Sequence, residues 1–224
     1  MKSQHQKAFT VAVVWTLCLL FLGSVVHATH SSLACPDWPT CYGTMVPVMT
    51  GGVFWEHLHR LVAGGLLLMW SLATWIAHRE LPRKRWVVRA SIGGLVLLLV
   101  QSVFGGLTVL FKLPDLVSTT HLGLALLFLS LATVLASATA GSGSAEAMAP
   151  SLAAGVRRWG LVAAGLVFVQ SVVGGLVRHT DAGMACPDAP LCLGRVIPPL
   201  DSGLVALHFF HRVLGLTTAV AVLW

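Results

Sequence analysis

Three features of the sequence predict an all-α membrane protein with an internal repeat. Only 10% of the 224 residues are charged and 56% are hydrophobic, whereas soluble domains carry about 25% charged residues. The sequence contains six apolar runs, each close to the roughly 20 residues that cross a bilayer as one helix. A cysteine motif and a histidine–arginine motif also occur twice, in the same order.

The six runs define the predicted transmembrane helices. The first run follows basic residues, as in a signal peptide, but it is long enough to span, which favours an uncleaved helix. Residues 139–156 are small, polar and rich in Gly and Ser, so they predict a flexible linker between a first half, 1–138, and a second half, 157–224. The predicted helices span roughly 9–28, 54–77, 87–111, 117–138, 157–178 and 203–224.

Basic residues are distributed unevenly between alternate loops, and this predicts the topology. Nine of the 14 Lys and Arg residues lie before the first helix, at the second loop and at the fourth, and only three lie on the other side. The positive-inside rule then places the N-terminus and the linker in the cytoplasm, and the loops 29–53, 112–116 and 179–202 outside. Because the basic residues orient helices in this way, the net charge of +6 does not indicate a nucleic-acid partner.

The repeated motifs relate the first two helices to the last two. The cysteine motif at 35–41 recurs at 186–192, a shift of 151 residues, and the His-Arg pair at 59–60 recurs at 211–212, a shift of 152. Such near-constant spacing predicts a parallel structural repeat.

A shorter repeat, Gln-Ser-Val-x-Gly-Gly-Leu, occurs at 101–107 and again at 170–176. Its small residues predict close packing of helices. We assign it no chemical role at this point.

The cysteine motifs lie in loops predicted to be outside, where thiols are oxidised in a bacterium. This favours two disulfides, Cys35–Cys41 and Cys186–Cys192. A copper or zinc site that gathers the first pair with His27 and His30 is the alternative, although zinc-binding cysteines usually stand closer together in sequence.

Ionisable side chains near the outer ends of the predicted helices form the candidate functional site. Glu56 and His59 are three residues apart and share one face of a helix, and ionisable groups in a membrane helix indicate function. His121 lies at a similar depth in the fourth helix, and His211 repeats His59. Two histidines at matched depth on neighbouring helices can bind haem iron as axial ligands. A divalent metal site and a proton relay through Glu56 are alternatives.

The two copies of this site differ at the position of the carboxylate. His208 stands where the first copy has Glu56, so only the first copy has a candidate acid or base beside the ligand. Arg60 and Arg212 follow the candidate ligands directly. They are candidates for contacts to haem propionates, or for snorkelling to the outer surface.

Together these motifs resemble the haem A synthase family. That family is an eight-helix membrane enzyme with two similar four-helix halves. It oxidises a ring methyl of haem o to the formyl group of haem a for terminal oxidase assembly, with haem b as a redox cofactor. The resemblance runs from about residue 11 to the end and rests on Glu56-x-x-His59-Arg60, the 35–41 loop, the stretch 101–113 followed by His121, and the second cysteine pair with His211.

The resemblance implies roles for individual residues. His59 and His121 would bind the substrate haem o, with Glu56 as the catalytic carboxylate, and His211 would be an axial ligand of haem b. Cys35–Cys41 and Cys186–Cys192 would be disulfides. The protein would lie in the bacterial inner membrane with its haem sites toward the outer face. Besides haem o and lipid, its implied partners are the haem o-forming enzyme, terminal oxidase assembly factors and further copies of the chain.

The six predicted helices correspond to the first six of that eight-helix architecture. His121 follows His59 by 62 residues, and the same step from His211 lies beyond Trp224, so the second haem b ligand is not in this sequence. We expect that the sequence is truncated. A natural short form completed by dimerisation is the alternative.

Two other functions compete with the enzyme. A membrane cytochrome that transfers electrons or carries haem would also use paired histidines, but it needs no carboxylate beside the ligand, so Glu56 favours the enzyme. A transporter with Glu56 as a proton site is disfavoured because the helices lack Gly- or Pro-broken midpoints.

Overall fold

The computed structural model describes residues 3–140 and 150–224, and these residues form α-helices with no β-strand among them. Six of the helices are long and apolar enough to cross a membrane, which confirms the predicted all-α membrane fold. They are α1 Gln4–Ala28, α2 Gly51–Glu80, α3 Arg85–Leu110, α4 Asp115–Ala138, α5 Pro150–His179 and α6 Gly203–Leu223.

The helices extend beyond the apolar runs that predicted them. α2 continues through residues 78–80, where the basic side chains of His78 and Arg79 lie favourably at the negative end of the helix dipole. Pro82 follows shortly after, and a proline cannot continue the interior of a helix. α5 begins at Pro150, inside the segment predicted as the linker 139–156, because proline is well suited to the first turn of a helix. Residues 141–149 of that linker lie outside the described residues.

The first of two compact units, Met1–Ser142, is a four-helix bundle. α1 and α3 each pack against both α2 and α4, so the helices close into a ring in which α2 and α4 are diagonally opposite. In the core the Trp70 ring contacts Phe9 of α1 and Phe128 of α4, at centroid distances of 5.4 and 4.8 Å. The Trp70 indole also donates a 2.9 Å hydrogen bond to the Ser91 carbonyl of α3, which satisfies its buried N–H. One side chain of α2 therefore ties all four helices together.

The second unit, Gly143–Trp224, contains α5 and α6 packed against each other. A short 3-10 helix, Ala182–Met184, follows α5 and contacts both helices. The buried apolar core of this unit is formed by Val205 and the cysteines of the second motif. The unit thus joins a helix pair to a loop whose disulfide is buried.

Large apolar side chains point outward from all six helices. Phe21, Leu68 and Leu216 are 72%, 73% and 70% exposed, and a water-facing surface of this kind would cause aggregation. Lipid chains solvate such a surface well. The exposed apolar faces therefore agree with helices that lie in a bilayer.

Candidate functional site

Each unit carries a small loop that is closed by a disulfide. Cys35–Cys41 and Cys186–Cys192 are bonded, with Cα–Cα distances of 4.8 and 4.7 Å, and all four residues are buried. The candidate ligand atoms of His57 and the first cysteine pair lie within 4.8 Å of one another, but a metal ion requires thiolate sulfur. The predicted disulfides are confirmed, and the structure favours them over the copper or zinc alternative.

An aspartate organises the backbone of the first loop. Asp37 accepts hydrogen bonds from the Thr40 hydroxyl and from the backbone N–H groups of Tyr42 and Gly43, the last two at 2.6 and 2.9 Å. These donors, with the Thr40 hydroxyl first, hold the pKa of the Asp37 carboxyl below its usual value because they stabilise the ionised form.

Asp188 repeats this arrangement in the second loop. It accepts backbone hydrogen bonds from Leu193 and Gly194, both at 2.7 Å. The pKa of Asp188 is lowered chiefly by the Gly194 N–H. Our sequence analysis gave neither aspartate a role, although the repetition of Cys-Pro-Asp in both loops was a signal that could have done so.

The arginine of each His-Arg pair clamps the disulfide loop onto its helix. Arg60 donates from Nη1 to the carbonyls of Asp37 and Thr40 at 2.7 and 2.6 Å, and from Nη2 to the carbonyl of Cys35 at 3.4 Å. A guanidinium can hold several carbonyls at once because its donors form a rigid planar fork.

Arg212 makes the same clamp in the second unit. Its Nη1 donates to the carbonyls of Asp188 and Leu191 at 2.7 and 2.6 Å, and its Nη2 donates to Cys186 at 2.6 Å. Both arginines thus hold loop carbonyls within their own unit. Their predicted contacts to haem propionates stay a prediction.

Both carboxylate oxygens of Glu56 are hydrogen-bonded. Oε2 accepts from the Cys35 N–H at 2.8 Å, and Oε1 accepts from Arg60 Nη2 at 2.5 Å. Only 4% of the residue is exposed. The carboxylate therefore lies between the disulfide loop and α2, one helical turn before His59.

His208, which replaces Glu56 in the second copy, has both ring nitrogens in use. Nδ1 lies 2.9 Å from the Ala182 carbonyl and Nε2 accepts from Arg212 Nε at 3.1 Å. Because a carbonyl only accepts, Nδ1 carries the proton and the imidazole is neutral. This pattern fits an anchor for the loop and leaves no ring nitrogen for a ligand.

His59 and His121 belong to the interior of the first bundle. They lie on α2 and α4, which are diagonal partners in the ring of helices. The expectation that they stand on neighbouring helices is wrong, because the ring of helices places α1 and α3 between them. His121 Nδ1 lies 3.1 Å from the Gln101 carbonyl, so Nδ1 is the protonated nitrogen and Nε2 has the lone pair that a metal ligand needs.

His211 in the second unit resembles His59 in its surroundings. Within the described part of the chain, Nδ1 of each ring is buried and has no hydrogen-bond partner. Buried polar atoms of this kind are rare in folded proteins and indicate a functional constraint. His57 Nδ1 is likewise buried without a partner, but its Nε2 donates to the Met45 carbonyl at 3.0 Å and holds the loop that precedes α2 to this helix.

Trp38, which our sequence analysis left without a role, packs on α3. A methyl carbon placed on Gly106 would lie 2.6 Å from the Trp38 ring. The second loop has Ala189 at the corresponding position. This contact therefore distinguishes the first copy, and the Trp-to-Ala difference between two otherwise similar motifs was the signal.

A shallow groove of about 480 Å³ lies elsewhere, between α1 and α2. Val14, Trp15, Cys18 and Val62 are among its lining residues. It is almost wholly apolar and its Val14 is 56% exposed. The groove suits a lipid chain and carries no group that the proposed chemistry needs.

The bundle, the partly buried imidazoles and the clamped disulfide loops define a class, a multi-pass membrane protein with candidate histidine ligands in its helices. The chain belongs to the COX15-CtaA family, described as cytochrome oxidase assembly protein, whose family model matches residues 6–53 and 48–224.

Individual relatives agree with this membership. The chain is 32% identical to "Heme A synthase" of Halalkalibacterium halodurans, over 96% of this chain and 74% of that protein. It is 33% identical to "Heme A synthase" of Symbiobacterium thermophilum, over 98% of this chain and 73% of that protein. It is 28% identical to the protein of the same name from Alkalihalophilus pseudofirmus, over 92% and 69%.

The histidines present fit a haem. Haem iron takes neutral imidazoles as axial ligands, and the hydrogen bond from His121 to the Gln101 carbonyl already selects the tautomer with an unprotonated Nε2. The buried Nδ1 atoms of His59 and His211 lack hydrogen-bond partners among the described residues. These imidazoles have the chemistry that axial ligands of haem iron need, and a haem site at them stays a prediction.

Proposed function

We propose that this chain is a haem A synthase, an oxidoreductase that converts a ring methyl of haem o to the formyl group of haem a for terminal oxidase assembly. The family model and the relatives named "Heme A synthase" support this proposal. The single observation that carries it is the buried Glu56 carboxylate one helical turn from His59, a feature that the second copy replaces with His208.

In this proposal His59 and His121 bind the substrate haem o in the first bundle. The tautomer of His121, which leaves Nε2 unprotonated, supports this role. The apolar interior between diagonal helices suits a porphyrin, because a flat hydrophobic ring loses contact with water there. Arg60 lies beside the site and is the candidate for a propionate contact.

Glu56 is proposed to accept or deliver protons while the methyl group is oxidised. Its hydrogen bonds to the Cys35 N–H and to Arg60 orient the carboxylate. A general acid or base of this kind contributes about 10²–10⁴ in rate. The disulfide loop would then serve to position Glu56 rather than to react.

In the second unit His211 is proposed as an axial ligand of haem b, with Arg212 as the candidate for a propionate contact. When bound, haem b supplies one-electron redox chemistry. The chain's own contribution there is the imidazole, whose buried Nδ1 lacks a partner among the described residues, and the clamped loop next to it.

The setting of the proposed enzyme is the bacterial inner membrane. The basic residues support a cytoplasmic N-terminus, with the haem sites toward the outer face. The haem o-forming enzyme and terminal oxidase assembly factors are the proposed protein partners, and further copies of the chain would form a homo-oligomer.

A bis-His membrane cytochrome, which carries haem or electrons without catalysis, is the second candidate function. The neutral, hydrogen-bonded His121 is the observation in its favour, since it suits a permanent ligand as well as a substrate contact. The two functions differ in what they require of Glu56.

The deciding experiment supplies haem o to membranes that contain the wild-type chain, Glu56→Gln or Arg60→Lys, and quantifies haem a in the extracted pigment. Glu56→Gln should keep haem binding but lower haem a formation by about 10²–10⁴. Arg60→Lys, which weakens the loop clamp and leaves the carboxylate, should lose much less. Equal losses in both variants would reduce Glu56 to a structural role, and a wild-type chain that binds haem but forms no haem a would favour the cytochrome.

A further inference from the structure

Two of the site histidines rest directly on glycines of the preceding helix. A methyl carbon placed on Gly105 of α3 would lie 2.9 Å from Cε1 of His121. A methyl carbon placed on Gly174 of α5 would likewise lie 2.9 Å from Cε1 of His211. Both distances are below 3.0 Å, the limit that real Cβ atoms essentially never cross. Any larger residue at either glycine would therefore displace the imidazole.

The third site histidine follows the same pattern with a looser fit. A methyl carbon on Gly23 of α1 would lie 3.3 Å from Cε1 of His59. Gly23 and Gly174 are 151 residues apart, which is the shift that relates the two cysteine motifs. The glycine thus belongs to the structural repeat, as its histidine does.

We propose that Gly105, Gly174 and Gly23 are positioning residues, here called seat glycines, that set the place and orientation of the three imidazoles proposed as haem contacts. The role of the imidazoles as haem contacts rests on the proposed function, whereas the contacts between the seat glycines and the imidazole rings rest on the geometry alone. It also gives a role to the Gln-Ser-Val-x-Gly-Gly-Leu repeat. The first of the two adjacent glycines in this repeat is Gly105 in one copy and Gly174 in the other.

Other glycines of the same two helices have no such contact. Gly93 in α3 and Gly165 in α5 would meet nothing within 4 Å if they carried a methyl group. Since glycine costs roughly 1 kcal/mol relative to alanine inside a helix, α3 and α5 gain nothing in helix stability from the seat glycines. At Gly105 the requirement is steric, because the ring edge lies against the backbone.

At His121 the seat acts together with a hydrogen bond. The ring edge at Cε1 lies against Gly105, and Nδ1 is bonded to the carbonyl of Gln101, one turn earlier on the same helix. Two contacts on one helix fix both the position of the ring and its rotation. Groups that orient a ligand histidine in this way typically change metal affinity by 10–100-fold when they are removed.

The experiment measures the imidazoles first without haem. In the haem-free chain, with histidine labelled at ¹³Cε1, NMR resonances are assigned to His121 and His211 with single His→Gln variants. Gly105→Ala should shift the His121 resonance and Gly174→Ala the His211 resonance. The matched controls Gly93→Ala and Gly165→Ala should shift neither. An unmoved His121 resonance in Gly105→Ala, or an equal shift in Gly93→Ala, overturns the inference whether or not haem binds.

Thermal unfolding of a double variant covers the case in which Gly105→Ala assembles poorly. If the clash is with the imidazole, Gly105→Ala should destabilise the wild-type chain but not the His121→Ala variant, which has no ring to displace. Equal destabilisation in both backgrounds contradicts the seat.

A haem titration then separates this inference from the proposed function. Gly105→Ala should weaken haem affinity by about 10–100-fold and alter the low-spin absorption spectrum, and the looser seat predicts a smaller effect for Gly23→Ala. Shifted imidazole resonances in a chain whose wild type binds no haem would support the seats and refute the haem site. Wild-type haem affinity in Gly105→Ala would overturn the seat's role in ligation.

Discussion

At the scale of single residues, the site is organised by side chains that hold backbone. Arg212 and Arg60 each donate to several loop carbonyls, and Glu56 adds an acceptor for the Cys35 N–H. Lysine could not replace these arginines, because an ammonium group cannot present two parallel donors in a fixed plane. The charge of the arginine matters less here than its shape.

This predicts a specific cost for Arg212→Lys. Hydrogen bonds to charged groups contribute about 1.5–3 kcal/mol each, and a lysine would keep only some of them, so we expect a loss of about 1–3 kcal/mol in the free energy of unfolding. Thermal unfolding in detergent measures it. Arg195→Lys is the matched control, because Arg195 is exposed in the same loop. A control as unstable as Arg212→Lys would contradict the clamp.

A second prediction concerns the pH dependence of the first loop. Because hydrogen bonds lower the pKa of Asp37 in the folded state, its ionised form stabilises the loop. This contribution is complete above the unfolded-state pKa of about 3.9 and is lost as the pH falls through the lower folded-state pKa. Hydrogen-exchange protection of the Tyr42 and Gly43 amides should fall with a midpoint below 3.9. A midpoint at or above that value would argue against the bonds, and Asp37→Asn should show no such transition.

At the scale of elements, the disulfide loops are the most self-contained part of the structure. Both are closed by buried cysteines six residues apart, and an arginine clamps each loop. The fifth cysteine, Cys18, is free and exposed on α1. The loops therefore predict a sharp difference in thiol reactivity.

Alkylation of the unfolded chain without reduction should modify Cys18 alone, and alkylation after reduction should modify all five cysteines. Mass spectrometry of protein from an oxidising compartment counts the adducts. Three or more adducts before reduction would show that at least one loop is open.

The helices themselves were predictable, because run length and charge identify a membrane span without knowledge of its neighbours. The disulfides were predictable because the cysteine motif occurs twice, whereas the role of the histidines stays a prediction. The diagonal placement of His59 and His121 was not, since it depends on which helix faces meet. Nor were the hydrogen bonds of Glu56 and Arg60, because their partners are backbone atoms of a loop whose path the sequence does not specify.

At the scale of the whole molecule, the chain consists of a four-helix bundle and a helix pair that repeats two of its helices. Both units carry a clamped disulfide loop, and only the first has a carboxylate beside its histidine. The two units therefore share the clamped loop and differ in the side chain that lies one turn before the histidine.

The topology of this scaffold is itself testable. A reporter fused within 36–52 should be active outside the cytoplasm, and one fused within 139–156 should be active inside, because nine basic residues face one side and three the other. The reverse pattern would place both histidine sites on the cytoplasmic side and contradict their proposed setting.

The most direct test of the central claim is whether His59 and His121 together bind haem. The purified chain is titrated with haem o, and the low-spin absorption bands are followed in the wild type, His59→Ala, His121→Ala and a double variant. His78→Ala is the control, because His78 is exposed at the other end of the helix that carries His59. Loss of these bands in either single variant, with the control unchanged, is the predicted result. Wild-type spectra in the double variant would contradict the claim.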